Sequence, residues 1–243
     1  MEIIAGLKAS TSRGTTARIF SMLRARPSGR VLDAPAGAGA LSRLMAQQGH
    51  AVVALDIDGR SFQPRDIPVV AADLNRPLPF PDATFDYAVC VDGIEHLENP
   101  FAMVREFRRV LKPGGEVFIS TPNISSFRSR TRYLLTGFHN KGKKPLNESV
   151  PSPFQHISLV SFPELRYALC RAGFTLAAVS ANRVTFATWP YVLLYPLAAL
   201  FMAAAFHQEK DQAQKRINRE IYRQMLTWPV ALGETLVIAA RKP

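Results

Sequence analysis

A glycine-containing turn near the start of the chain carries residue types that suit an anionic or nucleotide ligand. Residues 31–39 read VLDAPAGAG and join an apolar run to a stretch with helical periodicity. Glycine permits positive φ and lets a ligand approach the backbone closely. The free N–H groups of the following helix attract anionic groups. We therefore predict a ligand-binding turn here, in which Pro35 holds its own φ at about −65°.

Two further acidic residues follow apolar runs at positions that suit a nucleoside. Asp56 ends the second run, about 20 residues after the turn, where a carboxylate accepts hydrogen bonds from ribose hydroxyls. Asp73 follows the third run and can accept a hydrogen bond from an adenine amino group. Ile57 and Leu74 stand beside these acids and are expected to flank the adenine ring.

A second group of titratable residues, Asp92-Gly93-Ile94-Glu95-His96, follows the fourth apolar run. Doubly wound α/β sheets bind ligands at the carboxyl ends of their strands. Histidine titrates near neutral pH, so His96 is a candidate base that takes a proton from an attacking hydroxyl. With His156 from a later loop, Asp92, Glu95 and His96 could instead form an oxygen and nitrogen metal site. Simple pocket-lining is a third role for the same residues.

The elements that position these residues alternate between short apolar runs and helical stretches. Seven runs predict strands, at 30–33, 50–55, 67–72, 85–91, 116–120, 174–180 and 235–240. Helices are predicted at 41–48, at 100–111 after the cap Asn99, and at 162–172 after a capping box at Ser161. The alternation is typical of a doubly wound α/β sheet. A chain of 243 residues suits one such domain, spanning 1–243.

These features together resemble the class I S-adenosylmethionine-dependent methyltransferases, over about residues 30–173. The segments PFPDATFDYAVCVDGIEHLENP and LKPGGEVFISTPN are similar to the small-molecule branch that contains the ubiquinone-biosynthesis O-methyltransferases. The resemblance implies a Rossmann-like, seven-stranded sheet that is mostly parallel with an antiparallel last strand. It also implies S-adenosylmethionine as the methyl donor. A nicotinamide dehydrogenase would not call for Asp73 or the LKPGG segment.

The resemblance assigns parts of the donor to particular residues. Asp33 would hold the methionine end, with Gly37 and Gly39 beneath it, while Asp56 takes the ribose and Asp73 the adenine. The full predicted donor site is Asp33, Ala34, Pro35, Gly37, Gly39, Asp56, Ile57, Asp73, Leu74 and Val91. The chain departs from the family pattern at Pro35, which stands where the first glycine of the motif is usual.

The second group of residues resembles the E-x-x-E-H element, with a later histidine, of metal-assisted O-methyltransferases that act on quinone precursors and on RNA 2′-hydroxyls. Here Asp92 replaces the first glutamate. The resemblance implies a divalent metal on Asp92, Glu95, His96 and His156, although an E-H pair is also common in relatives without a metal. If no metal binds, Asp92, Glu95 and His96 are the candidate catalytic residues.

The predicted reaction is transfer of a methyl group from S-adenosylmethionine to a small or lipid-like acceptor, at an oxygen atom. Two alternatives stay open. One is a non-catalytic nucleotide-binding module of the same fold, and the other is a methyltransferase that acts on RNA or a glycan. In this fold the segments after the fifth strand and before the seventh choose the acceptor, here residues 122–155 and 181–232.

Charge and hydropathy outside the donor site bear on partners and location. The net charge of +11 favours an anionic partner such as nucleic acid, a membrane surface or a phosphorylated substrate. Residues 122–155 are expected to form an irregular basic loop, with Arg128, Arg130, Arg132, Lys141, Lys143 and Lys144. Residues 186–206 carry no charge and approach the length of a membrane span. They are expected to form a buried lid, a dimer surface or a peripheral membrane contact.

Two cysteines without metal-ligand spacing, and a start without a continuous apolar run, favour a cytoplasmic protein, with membrane association through residues 186–206.

Overall fold

The computed structural model describes residues 2–142, 145–150, 152–207 and 209–243. Lys143 and Lys144, which belong to the predicted basic loop, lie outside these ranges. The chain begins with a small antiparallel hairpin of β1 (Glu2–Ile4) and β2 (Leu7–Ala9), followed by helix α1 (Thr15–Leu23). None of these three elements was predicted. Each strand of the hairpin has only three residues, which is too short to show an apolar period, and helix α1 follows Gly14, which has no capping side chain.

The main sheet contains seven strands, as the sequence predicted. They are β3 (Arg30–Asp33), β4 (Ala51–Asp56), β5 (Val69–Ala71), β6 (Phe85–Val91), β7 (Leu111–Pro122), β8 (Thr175–Ala181) and β9 (Thr235–Arg241). Their order across the sheet is β5-β4-β3-β6-β7-β9-β8. The pairs from β5 to β7 are parallel, whereas β9 is antiparallel to both β7 and β8. The Rossmann-like fold with an antiparallel last strand is therefore confirmed.

Helices cover both faces of this sheet, and each helix buries an apolar stripe. Helix α1 and helix α2 (Ala40–Gln47) pack on one face through residues such as Ile19 and Met45. Helix α3 (Pro100–Val110) and helix α5 (Phe162–Arg171) pack on the other, through Phe107 and Phe162. With both faces covered, the strands are nearly continuous apolar runs, which is typical of parallel sheets.

The helix boundaries follow the predicted capping residues closely. Asn99 accepts a hydrogen bond from the Ala102 amide at 2.9 Å, at the start of α3. Ser161 and Glu164 form the predicted capping box at the start of α5. These capping residues fix where α3 and α5 begin, and both helices pack against the sheet whose strand ends carry the candidate site.

The expected irregular loop at 122–155 contains a helix, so that prediction was wrong in part. Helix α4 (Phe127–Thr136) begins at Ser126, whose hydroxyl accepts a hydrogen bond from the Ser129 amide at 3.3 Å. It ends at Gly137, which has the left-handed φ of 72° common at helix ends. The basic residues had suggested a solvated loop, but arginine is also a good helix former.

The apolar run and the two helices after it form a cap beside the carboxyl ends of β7 and β8. The apolar run forms a 3₁₀ segment (Phe186–Leu194) and helix α6 (Tyr195–His207), and the cap is completed by helix α7 (Gln212–Met225) and helix α8 (Trp228–Leu232). Every residue from 186 to 206 except Thr188 is partly or fully exposed, so the segment is not a buried lid. Within the described part of the chain, Phe186–Phe206 is the one helical stretch long and apolar enough to cross a membrane.

Candidate active site

A cavity of about 230 Å³ lies at the carboxyl ends of β3, β4 and β6. We call it the donor cavity, after the donor site that the sequence predicts there. Eight of the ten residues predicted for the donor site line it: Asp33, Pro35, Gly37, Asp56, Ile57, Asp73, Leu74 and Val91. The other two, Ala34 and Gly39, do not face the cavity. The predicted turn and both predicted acids therefore converge on one space.

Backbone hydrogen bonds to two neighbouring strands hold the turn after β3 at the edge of this cavity. The Ala34 amide donates to Val89 O and the Ala36 amide donates to Leu55 O, each at 2.9 Å. Gly39, with φ of 87°, precedes α2, and an added Cβ there would lie 2.6 Å from Cδ of Pro64. Gly39 thus lets the end of the turn pack closely against Pro64, and only glycine fits that position.

Asp33 is buried at the floor of the cavity, with 1% of its surface exposed. Burial raises the pKa of its carboxyl group to about 7, although a hydrogen bond from Ser42 partly opposes the shift. The Ser42 hydroxyl donates to Asp33 Oδ2 at 2.5 Å. Asp33 is therefore a carboxyl group that would ionise fully when a cationic ligand group arrives. Ser42 was not predicted, because nothing in its sequence context distinguishes it from other helical serines.

The other two predicted acids are held in fixed orientations by backbone amides. Asp56 Oδ2 accepts from the Gly37 amide at 2.8 Å, and its Oδ1 accepts from the Asp58 amide at 3.1 Å. Asp73 Oδ1 accepts from the amide and the side chain of Asn75, at 2.8 and 3.1 Å. Both carboxylates have lone pairs left for hydroxyl or amino donors of a nucleoside.

The N-terminal segment closes one side of the cavity, which the sequence did not predict. Lining residues from this segment are Lys8, Ala9, Ser10, Thr11 and Thr16. Asp92 fastens it, because Asp92 Oδ2 accepts from the Ser12 amide at 3.1 Å. Asp92 Oδ1 accepts from the Ser120 hydroxyl at 2.6 Å, and the residue has a positive φ of 46°. Asp92 therefore positions the wall of the cavity.

Glu95, His96 and His156 form a cluster next to the donor cavity. One ligand atom from each lies within 4.8 Å of the other two. Glu95 Oε2 accepts a hydrogen bond from the Thr121 hydroxyl at 3.2 Å. Glu95 Oε1 and His156 Nδ1 are buried and have no hydrogen-bond partner among the described residues. His96 also lines the donor cavity, so it connects the cluster to the donor site.

The surroundings of the cluster set its protonation. Burial, together with the charge of Asp92, raises the pKa of Glu95 to about 8. Burial and the neighbouring His96 lower the pKa of His156. His96 Nδ1 lies 2.9 Å from Gln155 O, and a carbonyl oxygen only accepts, so Nδ1 carries a hydrogen. The neutral ring of His96 therefore has its lone pair on Nε2.

The cluster also fits a divalent cation. One carboxylate and two imidazoles are a common donor set for transition metals and zinc. The two buried polar atoms without a partner are those that a cation would satisfy. Asp92, the fourth predicted ligand, is not part of the group, since Ser12 and Ser120 hydrogen-bond to its two oxygens.

A second cavity, of about 110 Å³, lies between α4 and the cap. Its walls include Arg128, Lys141 and Thr188, the last from the apolar 3₁₀ segment. Lys141 Nζ lies 3.0 Å from Glu234 and donates to the Ser12 hydroxyl at 3.0 Å. Its charge also acts on Glu95 and His156. Lys141 therefore links the second cavity to the cluster through its charge.

Comparison with known proteins agrees with this geometry. A family model described as a methyltransferase domain matches residues 12–179. A demethylmenaquinone methyltransferase of Corynebacterium urealyticum is 41% identical over 42% of this chain and 46% of its own length. A ubiquinone biosynthesis O-methyltransferase of Pseudomonas syringae is 35% identical over 39% of this chain and 44% of its own length. This chain thus spans about half the length of these relatives.

Two longer matches extend the comparison beyond the donor site. A probable S-adenosylmethionine-dependent methyltransferase of Mycobacterium tuberculosis is 31% identical over 76% of this chain and 72% of its own length. A crystal structure of such an enzyme from Archaeoglobus fulgidus superimposes with a TM-score of 0.57 and 20% identity, over 95% of this chain and 96% of that one. The likeness to that structure concerns the fold. The matched domain, and the Mycobacterium tuberculosis relative that is matched over 72% of its length, show that the chain belongs to the S-adenosylmethionine-dependent methyltransferases.

Proposed function

We propose that this protein transfers the methyl group of S-adenosylmethionine to a hydroxyl oxygen of a small or lipid-like acceptor, with His96 as the base. The observation that carries the proposal is the position of His96. It lines the donor cavity, and Gln155 O fixes the tautomer that presents a lone pair on Nε2. S-adenosylmethionine supplies a methyl group made electrophilic by its positive sulfur.

The residues around the cavity bind and orient the donor. Asp33 pairs with the ammonium group of its methionine end, Asp56 with the ribose hydroxyls and Asp73 with the adenine amino group. Holding two reactants in line can lower a barrier by about 7–11 kcal/mol. The N-terminal segment, fastened through Asp92, keeps water out of the same space.

Those basic residues of 122–155 that the structure describes favour a small acceptor over RNA. Lys141 is paired with Glu234 at 3.0 Å. Arg130 lies over the ring of Phe127 and next to Met202 Sδ. These side chains make contacts within the protein and do not form a free basic face. The quinone-related names of two relatives support a quinone precursor as the first acceptor to test, and one of these names specifies transfer to oxygen.

The experiment combines donor binding with turnover. We expect calorimetry to show micromolar binding of S-adenosylmethionine and S-adenosylhomocysteine, and His96→Ala to leave that binding within about twofold. Methyl transfer to a hydroquinone acceptor should fall by about 10²–10⁴-fold in the same variant, since that is the usual contribution of a general base. Unchanged turnover in His96→Ala would remove it from the chemistry. Donor binding without turnover on phenolic, glycan or RNA acceptors would favour a non-catalytic binding module.

As the alternative to His96 acting as the base, we propose that Glu95, His96 and His156 hold a divalent cation, on the evidence of the two unpartnered buried atoms. With Nε2 of His96 bound to the ion, its lone pair does not take a proton. Such an ion would supply positive charge next to a developing alkoxide. Calorimetric titration with manganese or zinc alone tests this without any turnover. We expect saturable binding that His156→Ala abolishes and His139→Ala retains. Equal binding by the two variants would contradict the site.

A further inference from the structure

The outer side of the cap is an apolar surface. It consists of side chains from the 3₁₀ segment and α6, namely Phe186, Trp189, Leu193, Leu197, Leu200 and Phe201. Their exposed fractions reach 90% at Phe186 and 84% at Leu193. Soluble monomers rarely expose a contiguous apolar patch of this kind unless something binds it. We call these six residues the apolar cap surface.

The opposite side of the same segment is fastened to the protein. Tyr191, Tyr195 and Ala198 pack against a small core that includes Phe127 and Leu232. The hydroxyl of Tyr195 donates to Leu226 O, and that of Tyr222 donates to Ala199 O at 3.3 Å. The apolar cap surface is therefore the outward face of a packed element, and a partner must cover it from outside.

Basic and aromatic residues on the neighbouring helices indicate which partner. Arg216, Arg219 and Arg223 are exposed on α7 at spacings of three and four, which places them on one face. Trp189 contacts Trp228 at 5.6 Å between rings, and both are about half exposed. Arginine suits anionic lipid headgroups, and tryptophan prefers the boundary between headgroups and hydrocarbon. Exposed apolar side chains, arginines and tryptophans on neighbouring elements are together the features expected of a surface that binds an anionic bilayer.

The sheet topology rules out a single membrane crossing by this segment. Strand β8 precedes the apolar run and β9 follows it, yet they pair with each other, with Ala181 opposite Leu236. The chain must therefore enter and leave the apolar run on the same side of any membrane. Contact is restricted to one leaflet, which is typical of interfacial helices.

We propose that the apolar cap surface and the arginine row of α7 dock the protein on the surface of an anionic lipid bilayer. Thr188 connects this surface to the second cavity, which it lines together with Lys141. The docking itself goes beyond the proposed reaction and does not depend on it.

Flotation with vesicles tests the proposal. The full chain is mixed with vesicles of phosphatidylcholine, with or without a quarter of phosphatidylglycerol, and centrifuged through a density gradient. We expect flotation with the anionic vesicles and much less with the neutral ones. The variant Leu197→Glu/Leu200→Glu/Phe201→Glu should stay at the bottom. Ile3→Glu, at an exposed apolar residue of the N-terminal hairpin, should float normally.

A second pair of variants isolates the charge. Arg216→Gln/Arg219→Gln/Arg223→Gln should lower the affinity for anionic vesicles on the order of 100-fold. Arg24→Gln/Arg60→Gln/Arg65→Gln removes the same charge from exposed arginines outside the cap and should change it less than tenfold. Donor binding, measured by calorimetry on each variant, confirms that the fold is intact and tests the methyltransferase proposal separately.

Three results would overturn the docking proposal. The first is a native protein that stays at the bottom with anionic vesicles. The second is a glutamate variant of the cap that floats as the native protein does. The third is a native protein that does not float but forms a dimer in solution, which the glutamate variant loses, because the surface would then be an interface between two copies.

Discussion

The proton on Asp33 takes part in donor binding, because its carboxyl group is buried where the ammonium group of the donor is proposed to lie. Burial raises the pKa of this group to about 7. Below that pH, Asp33 must release its proton before it can pair with a cation. We expect the affinity for S-adenosylmethionine at pH 6 to be about tenfold lower than at pH 8. Calorimetry at the two pH values measures the difference.

Two variants link that pH dependence to Asp33. Asp33→Asn cannot ionise, so its weaker binding should vary little with pH. Ser42→Ala removes the hydrogen bond that opposes the rise in pKa, so the loss of affinity should begin at a higher pH. Native affinity that is equal at pH 6 and pH 8 would contradict this role.

Glu95 makes the stability of the free protein depend on pH. Its pKa rises from 4.5 to about 8 on folding, mainly through burial. Between these values the folded state binds more protons than the unfolded state, so the free energy of unfolding falls as pH rises. Glu95→Gln removes this effect, and its stability relative to the native protein should increase by about 1–3 kcal/mol between pH 5 and pH 8.5.

Urea unfolding at both pH values measures this change, in protein freed of metal by a chelator. Glu98→Gln, at an exposed glutamate nearby, should show no such trend. A difference between Glu95→Gln and the native protein that does not vary with pH would show that Glu95 is already ionised at neutral pH.

Local sequence spacing predicted the acids of the donor site but not their partners. Asp33, Asp56 and Asp73 each follow an apolar run, and the carboxyl ends of parallel strands meet at one edge of the sheet. Ser12, by contrast, reaches Asp92 across 80 residues of chain. A contact of that kind depends on how the N-terminal segment folds over the sheet, and no local pattern reports it.

At the scale of elements, Gly93 permits the turn after β6 to pack against the turn after β3. An added Cβ at Gly93 would lie 2.3 Å from Cδ of Pro35. Its φ of −122° suits any residue, so Gly93→Ala introduces a clash without backbone strain. We expect a loss of about 1–3 kcal/mol in the free energy of unfolding, as for other overpacked sites. Donor affinity should fall as Pro35 is displaced.

Gly59→Ala is the matched control, because its Cβ would make only an ordinary contact of 3.6 Å with Ala71. Thermal unfolding and donor calorimetry are measured on both variants. If Gly93→Ala behaves as Gly59→Ala does, the two turns are not in the close contact described.

Elements with a strong apolar period or a recognisable cap could be predicted, and the others could not. Strand β6 and helix α3 were located to within a residue, since one is apolar apart from Asp86 and the other is capped by Asn99. Helix α1 follows Gly14, which offers no capping side chain. Helix α4 was hidden by its arginines, which had been interpreted as a sign of a solvated loop.

At the scale of the whole molecule, the sheet with the helices on its two faces should be more stable than the cap. Strands β6, β7 and β9 are buried on both faces, so their amides should exchange hydrogen only on global unfolding. Helix α6 leaves its outer side uncovered, so opening it exposes less apolar surface than opening the central strands does. Its amides should exchange at least about tenfold faster than those of β9.

Native-state hydrogen exchange monitored by mass spectrometry measures this ratio. Helix α5 provides the internal comparison, because it is covered by the sheet and should follow β9. Equal protection of α6 and β9 would show that the cap and the sheet unfold as one unit.

The insertion of β9 between β7 and β8 also governs the order of events during synthesis. Both neighbours of β9 leave the ribosome before it does, and the apolar run emerges between β8 and β9. Until β9 arrives, one edge of β7 and both edges of β8 are unpaired while the apolar run is already outside. Open edges and apolar segments both promote aggregation. The nascent chain should therefore depend on a chaperone, or on early contact with lipid, during the interval between these two strands.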